Sequence, residues 1–167
     1  MFSSVTKQQA EEVLAGAKSH QIRLCSVETV TSGLLAAALT SVPGASEVFE
    51  RGFILYHESA KATGLGVSAA ISEKYGAVSS PVTEGLAEGG LVNSTAGLSI
   101  AITGYAGPGG GNVNDPVGTC YMAVARRDGN TVVERSCFDG GRDAVRIGAV
   151  NAALTLVSKL LKENLVT

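Results

Sequence analysis

Charge of either sign is scarce in this chain. Of 167 residues only 17% are Asp, Glu, Lys or Arg, and they nearly cancel, to a net charge of −2 and a pI near 5.7. Nucleic acid and anionic lipid are held by clustered Lys and Arg, so neither is expected as a partner. Cysteine is sparse too. Cys25, Cys120 and Cys137 are odd in number, far apart and set among apolar residues, which argues against a disulfide framework or a zinc site and predicts reduced thiols in a core. No run approaches the roughly 20 apolar residues that span a bilayer, and the first 18 residues carry Lys7, Glu11, Glu12 and Lys18 in place of the apolar centre of a signal sequence. A soluble cytoplasmic protein is the expectation. No His, Cys, Asp or Glu cluster has metal-ligand spacing, so no metal or other cofactor is expected.

What remains is an apolar fraction of 45%, enough for broad buried faces in one domain over 1–167. Apolar positions recur at helical spacing between Ser4 and about His20, with Ser3 or Ser4 as a cap. Ile22 to Ser26 reads as a buried strand, followed by a helix from Ser32 to about Thr40 that ends near Pro43-Gly44. Phe49 to Tyr56 reads as a second strand; short helices follow His57, span Ala69 to Tyr75, and run from Pro81 to about Asn93, the last weakened by glycines 85, 89 and 90. Leu98 to Ile102 is a third, buried strand. Val117 to Ala125 and Thr131 to Phe138 make a hairpin across Asp128-Gly129-Asn130, and a long helix from about Arg142 to Glu163 closes the chain. Helices precede, separate and follow the strands, which predicts an α/β fold: a three-layer α/β/α sandwich whose sheet is mixed, because the late hairpin is antiparallel.

Two stretches carry chemistry. Val27-Glu28-Thr29-Val30-Thr31-Ser32-Gly33 is a strand-to-helix turn whose small residues leave backbone N–H groups open to an anion at the positive end of the helix dipole. Thr29, Thr31 and Ser32 each offer a hydroxyl that a nearby base could activate, or one that merely caps the helix. The second stretch is Thr103-Gly104-Tyr105-Ala106-Gly107-Pro108-Gly109-Gly110-Gly111, whose glycines let backbone approach a ligand closely. It lacks the Gly-Lys-Ser/Thr ending of a nucleotide P-loop and the spacing of a dinucleotide fingerprint, so ATP and NAD by those routes are disfavoured. Arg142 and Arg146 stand at a helix start, where cations oppose the dipole; they serve an anion or pair with Asp139 or Asp143. Glu28 holds Lys61, caps backbone donors or is simply a satisfied structural carboxylate, and Asp115 is a candidate for ordering the site. His57 reads as a solvated residue at a strand end.

Several motifs together resemble one family. These are Arg51-Gly-Phe-Ile-Leu-Tyr56 with Ala60-Lys61 and Leu65-Gly66-Val67, then Gly76-Ala77-Val78-Ser79, then Ile102 to Gly111, then Pro116-Val117-Gly118-Thr119, then Phe138 with Gly141-Arg142. They are similar to the CinA C-terminal domain family, whose characterised members are nicotinamide-nucleotide amidases, and the likeness runs from about Val27 to Leu154. The resemblance implies an α/β fold, a homodimer, and hydrolysis of nicotinamide mononucleotide to nicotinic acid mononucleotide and ammonia. That family's turn usually reads Ala-Glu-Ser-Cys-Thr-Gly-Gly, with its Ser as nucleophile. The match puts Thr29 in that place, Val30 in place of Cys and Ser32 in place of the first Gly, while Tyr56 and Lys61 match the activating pair. Implied substrate contacts are Thr31, Ser32, Gly33, Thr103, Gly104, Gly107, Gly109 and Gly110, with Arg142 or Arg146 on the phosphate. The β-methyl of Thr29 and the side chain of Ser32 crowd the turn, so a paralogue that binds a nucleotide without turnover is the competing expectation.

Overall fold

The computed structural model describes residues 1–163. Its elements run α1 (Ser4–Ser19), β1 (Leu24–Glu28), α2 (Leu34–Thr40), a 3-10 turn (Ala45–Glu47), β2 (Phe49–Ile54), α3 (Glu58–Leu65), α4 (Ala69–Tyr75), α5 (Ser80–Val92), β3 (Leu98–Gly104), β4 (Thr119–Arg126), β5 (Val132–Cys137) and α6 (Arg142–Glu163). One sheet has the order β2-β1-β3-β4-β5. β1 pairs in parallel with β2 and β3, and the hairpin strands β4 and β5 add on antiparallel. The sheet is mixed, as expected.

Alternation along the strands sorts the two faces. Leu24 on β1, Ile100 and Ile102 on β3, and Met122 and Val124 on β4 join a core with α1, α2 and α6. Val27, Ala101, Ala123 and Ala125 point the other way, into a core with Leu65, Leu86 and Leu91 from α3 and α5. That second face is built of small side chains, and α5 lies close upon it. A Cβ on Gly89 would come 2.8 Å from the carbonyl oxygen of Leu65, and one on Gly90 would collide with the Ser99 hydroxyl. Both weaken the helix by propensity, yet Gly90 lets it reach the sheet and Gly89 lets it meet the end of α3. α6 is long and apolar enough to cross a membrane by composition, yet Val145, Ala149, Val150, Ala153, Leu154 and Val157 are all buried in the first core. Burial inside the fold accounts for that composition.

Some boundaries move. α2 starts at Leu34, because Ser32 and Gly33 adopt left-handed backbone, at φ 50° and 97°. The parallel pairing of β2 stops at Ile54, leaving Tyr56 beyond the sheet. The cysteines divide: Cys25 and Cys120 are buried, but Cys137, at the end of edge strand β5, is exposed and not a core residue. Burial pushes the Cys120 thiol up to about 12, with the neighbouring Cys137 adding to it.

Candidate active site

The chain leaves β1 through α2 on one face of the sheet to reach β2, and leaves β2 through α3, α4 and α5 on the other face to reach β3. A crevice opens where such connections diverge, beyond the carboxyl ends of the parallel strands. A cleft of about 290 Å³ lies there, lined by Thr29 and Val30 after β1, Tyr56 after β2, Glu58 and Lys61 on α3, Ala77 and Val78 before α5, Gly104 to Gly107 and Gly109 after β3, and Arg142 at the start of α6. Thr29, Tyr56 and Lys61, separated by up to 32 residues in sequence, thus share one cleft with the glycine segment.

Thr29 is 8% exposed. Its backbone N–H and its hydroxyl both donate to the carbonyl of Ile102, at 3.2 and 3.0 Å. Lys61 is 5% exposed, and its ammonium nitrogen donates to Glu58 Oε2 at 3.1 Å and to the Ala77 carbonyl at 3.0 Å. Hydroxyl and amine face the same cleft, each bonded elsewhere. Tyr56 is exposed, and its phenolic oxygen accepts from Arg142 Nη2 at 2.6 Å. The other arm of that guanidinium donates to the Gly107 carbonyl at 2.9 Å, so Arg142 ties the end of β2 to the glycine segment across the mouth.

The turn itself corrects the sequence reading. The N–H groups at the start of α2 are not open to an anion, because the buried carboxylate of Glu28 has taken those of Gly33, Leu35 and Ala36. Glu28 accepts from the backbone N–H groups of Gly33, Leu35 and Ala36 at 2.9, 3.0 and 2.9 Å, and from the hydroxyls of Thr31 and Ser26 at 2.8 and 3.1 Å. A carboxylate at a helix start satisfies both the orphan donors and the dipole, and an unbonded one would be costly at 0% exposure. Glu28 is thus the cap, and it does not hold Lys61.

Other expected contacts are spent in the same way. Thr31 is fully buried against Glu28. Thr103 points to the α5 face of β3, where its hydroxyl lies 2.8 Å from that of Thr83, so it does not line the cleft. Ser32, Gly33 and Gly110 are outside the lining, unlike Gly104, Gly107 and Gly109. Arg146 donates to the carbonyls of Val30 and Thr31 at 3.0 and 3.2 Å, bracing the turn from α6, and it is not among the residues lining the cleft. Asp115 accepts from Tyr121 and Arg135, folding the end of the glycine segment onto the hairpin. His57 caps α3, its ring accepting from the Ser59 N–H.

One cleft residue escaped the sequence reading. Glu58 is bonded to Lys61 three residues on, a spacing that places both on one helical face and was the available signal. Partial burial works to raise its carboxyl, but hydrogen bonds from Ser72 and Lys61 and the charges of Lys61 and His57 outweigh it, so the carboxyl sits below its ordinary range.

Known proteins carry the same arrangement of chain. Residues 6–161 match the family model described as CinA C-terminal domain. A nicotinamide-nucleotide amidohydrolase PncC from Escherichia coli K12 is 37% identical over 164 residues, covering 98% of this chain and 99% of its own. A CinA-like protein from Akkermansia muciniphila is 43% identical over 125 residues, 75% of this chain. The chain spans 38% and 30% of the length of the longer relatives from Caldicellulosiruptor bescii and Akkermansia. The crystal structure of competence/damage inducible protein CihA from Agrobacterium tumefaciens superposes with a TM-score of 0.93 at 34% identity, over 98% of this chain and 99% of that one. With the fold and the sequence in agreement across nearly all of its length, the chain belongs to the CinA C-terminal domain family.

Proposed function

We propose that the chain is an amidohydrolase that converts nicotinamide mononucleotide to nicotinic acid mononucleotide and ammonia. The observation that carries this reading is the gathering of Thr29, Tyr56, Lys61 and Arg142 in one cleft, in a chain 37% identical over almost its whole length to a protein named for that reaction. Thr29 Oγ1 attacks the carboxamide carbon while its proton passes to the Lys61 amine. As the C–N bond breaks, that proton goes to the leaving nitrogen and ammonia departs; water then cleaves the Thr29 ester. Tyr56 orients the amine side of the cleft and Arg142, with two bonded arms at the mouth, turns to the phosphate when it arrives. Since the donors of Gly33, Leu35 and Ala36 belong to Glu28, the oxyanion is assigned to the Gly104–Gly107 side of the cleft. In this reading the chain acts as a homodimer, which light scattering would test.

The test is ammonia release. Purified protein with nicotinamide mononucleotide should liberate ammonia, and Lys61→Ala should reduce the rate by about 10²–10⁴-fold. No turnover with any pyridine nucleotide defeats the reading. A second reading, a binding module without turnover, is favoured by one observation: the Thr29 hydroxyl is bonded to the Ile102 carbonyl and must rotate to attack. Its signature is thermal stabilisation by the nucleotide with no ammonia, turnover appearing in the double variant Thr29→Ser with Ser32→Gly.

A further inference from the structure

We propose that Glu58 is a positioning residue for the Lys61 amine, holding it in the cleft and tuning its exchange of the reaction's proton; the inference rests on the amidohydrolase reading above. A buried lysine must find partners for its donors. Lys61, at 5% exposure, has two: the backbone carbonyl of Ala77 and the carboxylate of Glu58. Of these only Glu58 carries charge, and only Glu58 is a side chain that substitution can change.

Valence does the rest. The Lys61 nitrogen has four positions: one is bonded to carbon, and two N–H groups are committed to Glu58 and Ala77. The fourth alone can take the proton of Thr29 as Oγ1 bonds to the carboxamide carbon, and give it up to the leaving nitrogen as the C–N bond breaks. With the two wall-side partners fixed, that fourth position has one direction left. Glu58 therefore supplies orientation through its acceptor oxygen and a bias toward the ammonium through its charge.

Other groups around the amine are fewer than its neighbours in sequence imply. Tyr56 stands beyond β2, His57 beside it, Tyr105 follows β3, and Arg142 comes from α6. A second cleft of about 360 Å³ lies on the far side of the pair, where α4 brings Ser72 and Glu73. Glu58, Lys61 and Ala77 line both openings and form the partition between them. Among the described residues, no other charged group is hydrogen-bonded to the Lys61 nitrogen. The depressed carboxyl of Glu58 keeps it charged across the neutral range.

The experiment compares the full chain with Glu58→Gln, Glu58→Ala and Lys61→Ala, measuring ammonia release from nicotinamide mononucleotide against pH. Gln keeps an acceptor and loses the charge, so the ratio of its kcat/KM to wild type should be at least about threefold higher at about pH 6 than at about pH 9. Ala loses both, and its kcat should fall by about tenfold or more at every pH with KM within about twofold. Coincident profiles for Gln and wild type overturn the proposal. If wild type releases no ammonia, the amidohydrolase reading falls, and the positioning role is decided without it. The ε-carbon resonance of Lys61, assigned through Lys61→Arg, is then titrated in wild type and Glu58→Gln: a downward displacement in the variant sustains the proposal, and superimposed curves end it.

Discussion

Two glutamates stand where a parallel strand gives way to a helix, and they do opposite work. Glu28 closes β1 with no exposure and five accepted hydrogen bonds. Glu58 opens α3 with its side chain 49% exposed and one lysine as its charged partner. Both are carboxylates near a helix N-terminus, so local sequence makes them look alike. The difference is the number of fixed donors each one meets. A carboxylate saturated by backbone N–H groups is part of the scaffold, whereas one bonded only to side chains, here Ser72 and Lys61, remains able to influence chemistry. The turn is rigid so that Thr29 is held; the α3 wall is open so that Lys61 can be addressed.

That contrast breaks most sharply at Glu28. Glu28→Ala strands three backbone donors and two hydroxyls in a dry site and should cost on the order of 3–5 kcal/mol, read as a fall in the denaturant midpoint with unchanged slope. A loss under about 1 kcal/mol would mean the turn is not organised by this carboxylate. Arg146→Ala comes next. It removes the bonds to the carbonyls of Val30 and Thr31 and should cost about 1–3 kcal/mol, while leaving nucleotide-induced thermal stabilisation intact; loss of that stabilisation at unchanged stability would return Arg146 to the phosphate. Arg142→Ala provides the control, since its bonds lie at the mouth.

How much of this was legible in sequence follows from the same distinction. The strand-turn-helix around Thr29 and the glycine segment after β3 were readable, because apolar runs and glycine clusters are local signals. Which hydroxyls face the cleft was not, because that depends on partners far away in the chain. Thr103 is lost to Thr83 across the α5 interface, while Thr29 stays on the cleft with its hydroxyl engaged by Ile102 on a neighbouring strand. Spacing alone leaves the role of Glu28 open for the same reason: burial chooses capping. Arg142 and Arg146 look equivalent one helical turn apart, yet only one lines the cleft, since the other reaches back under the turn. Ser32 is the informative departure. At φ 50° it holds a conformation that favours glycine, so Ser32→Gly should be neutral or stabilising by up to about 1 kcal/mol, the relieved strain being offset by the freer unfolded chain. A clear loss would show that the serine side chain is needed there.

The smallest effect belongs to the other glutamate. Glu58→Gln should change stability at neutral pH by less than about 0.5 kcal/mol, because a half-exposed carboxylate is screened by solvent and its pair with Lys61 gains little. What difference exists must depend on pH in one direction. The folded-state carboxyl is held below its ordinary value of 4.5, so its contribution is complete above that value. It is lost as pH falls through the lower folded-state one, where the unfolded chain binds the proton first. The wild-type and variant stability curves should therefore run parallel from pH 4.5 to neutrality and converge below pH 4.5, as followed by urea unfolding at a series of pH values in that range. Were they to diverge toward low pH, or were Gln to cost as much at neutral pH as Ala does at position 28, Glu58 would be a scaffold carboxylate like Glu28, and the two ends of the site would no longer differ in kind.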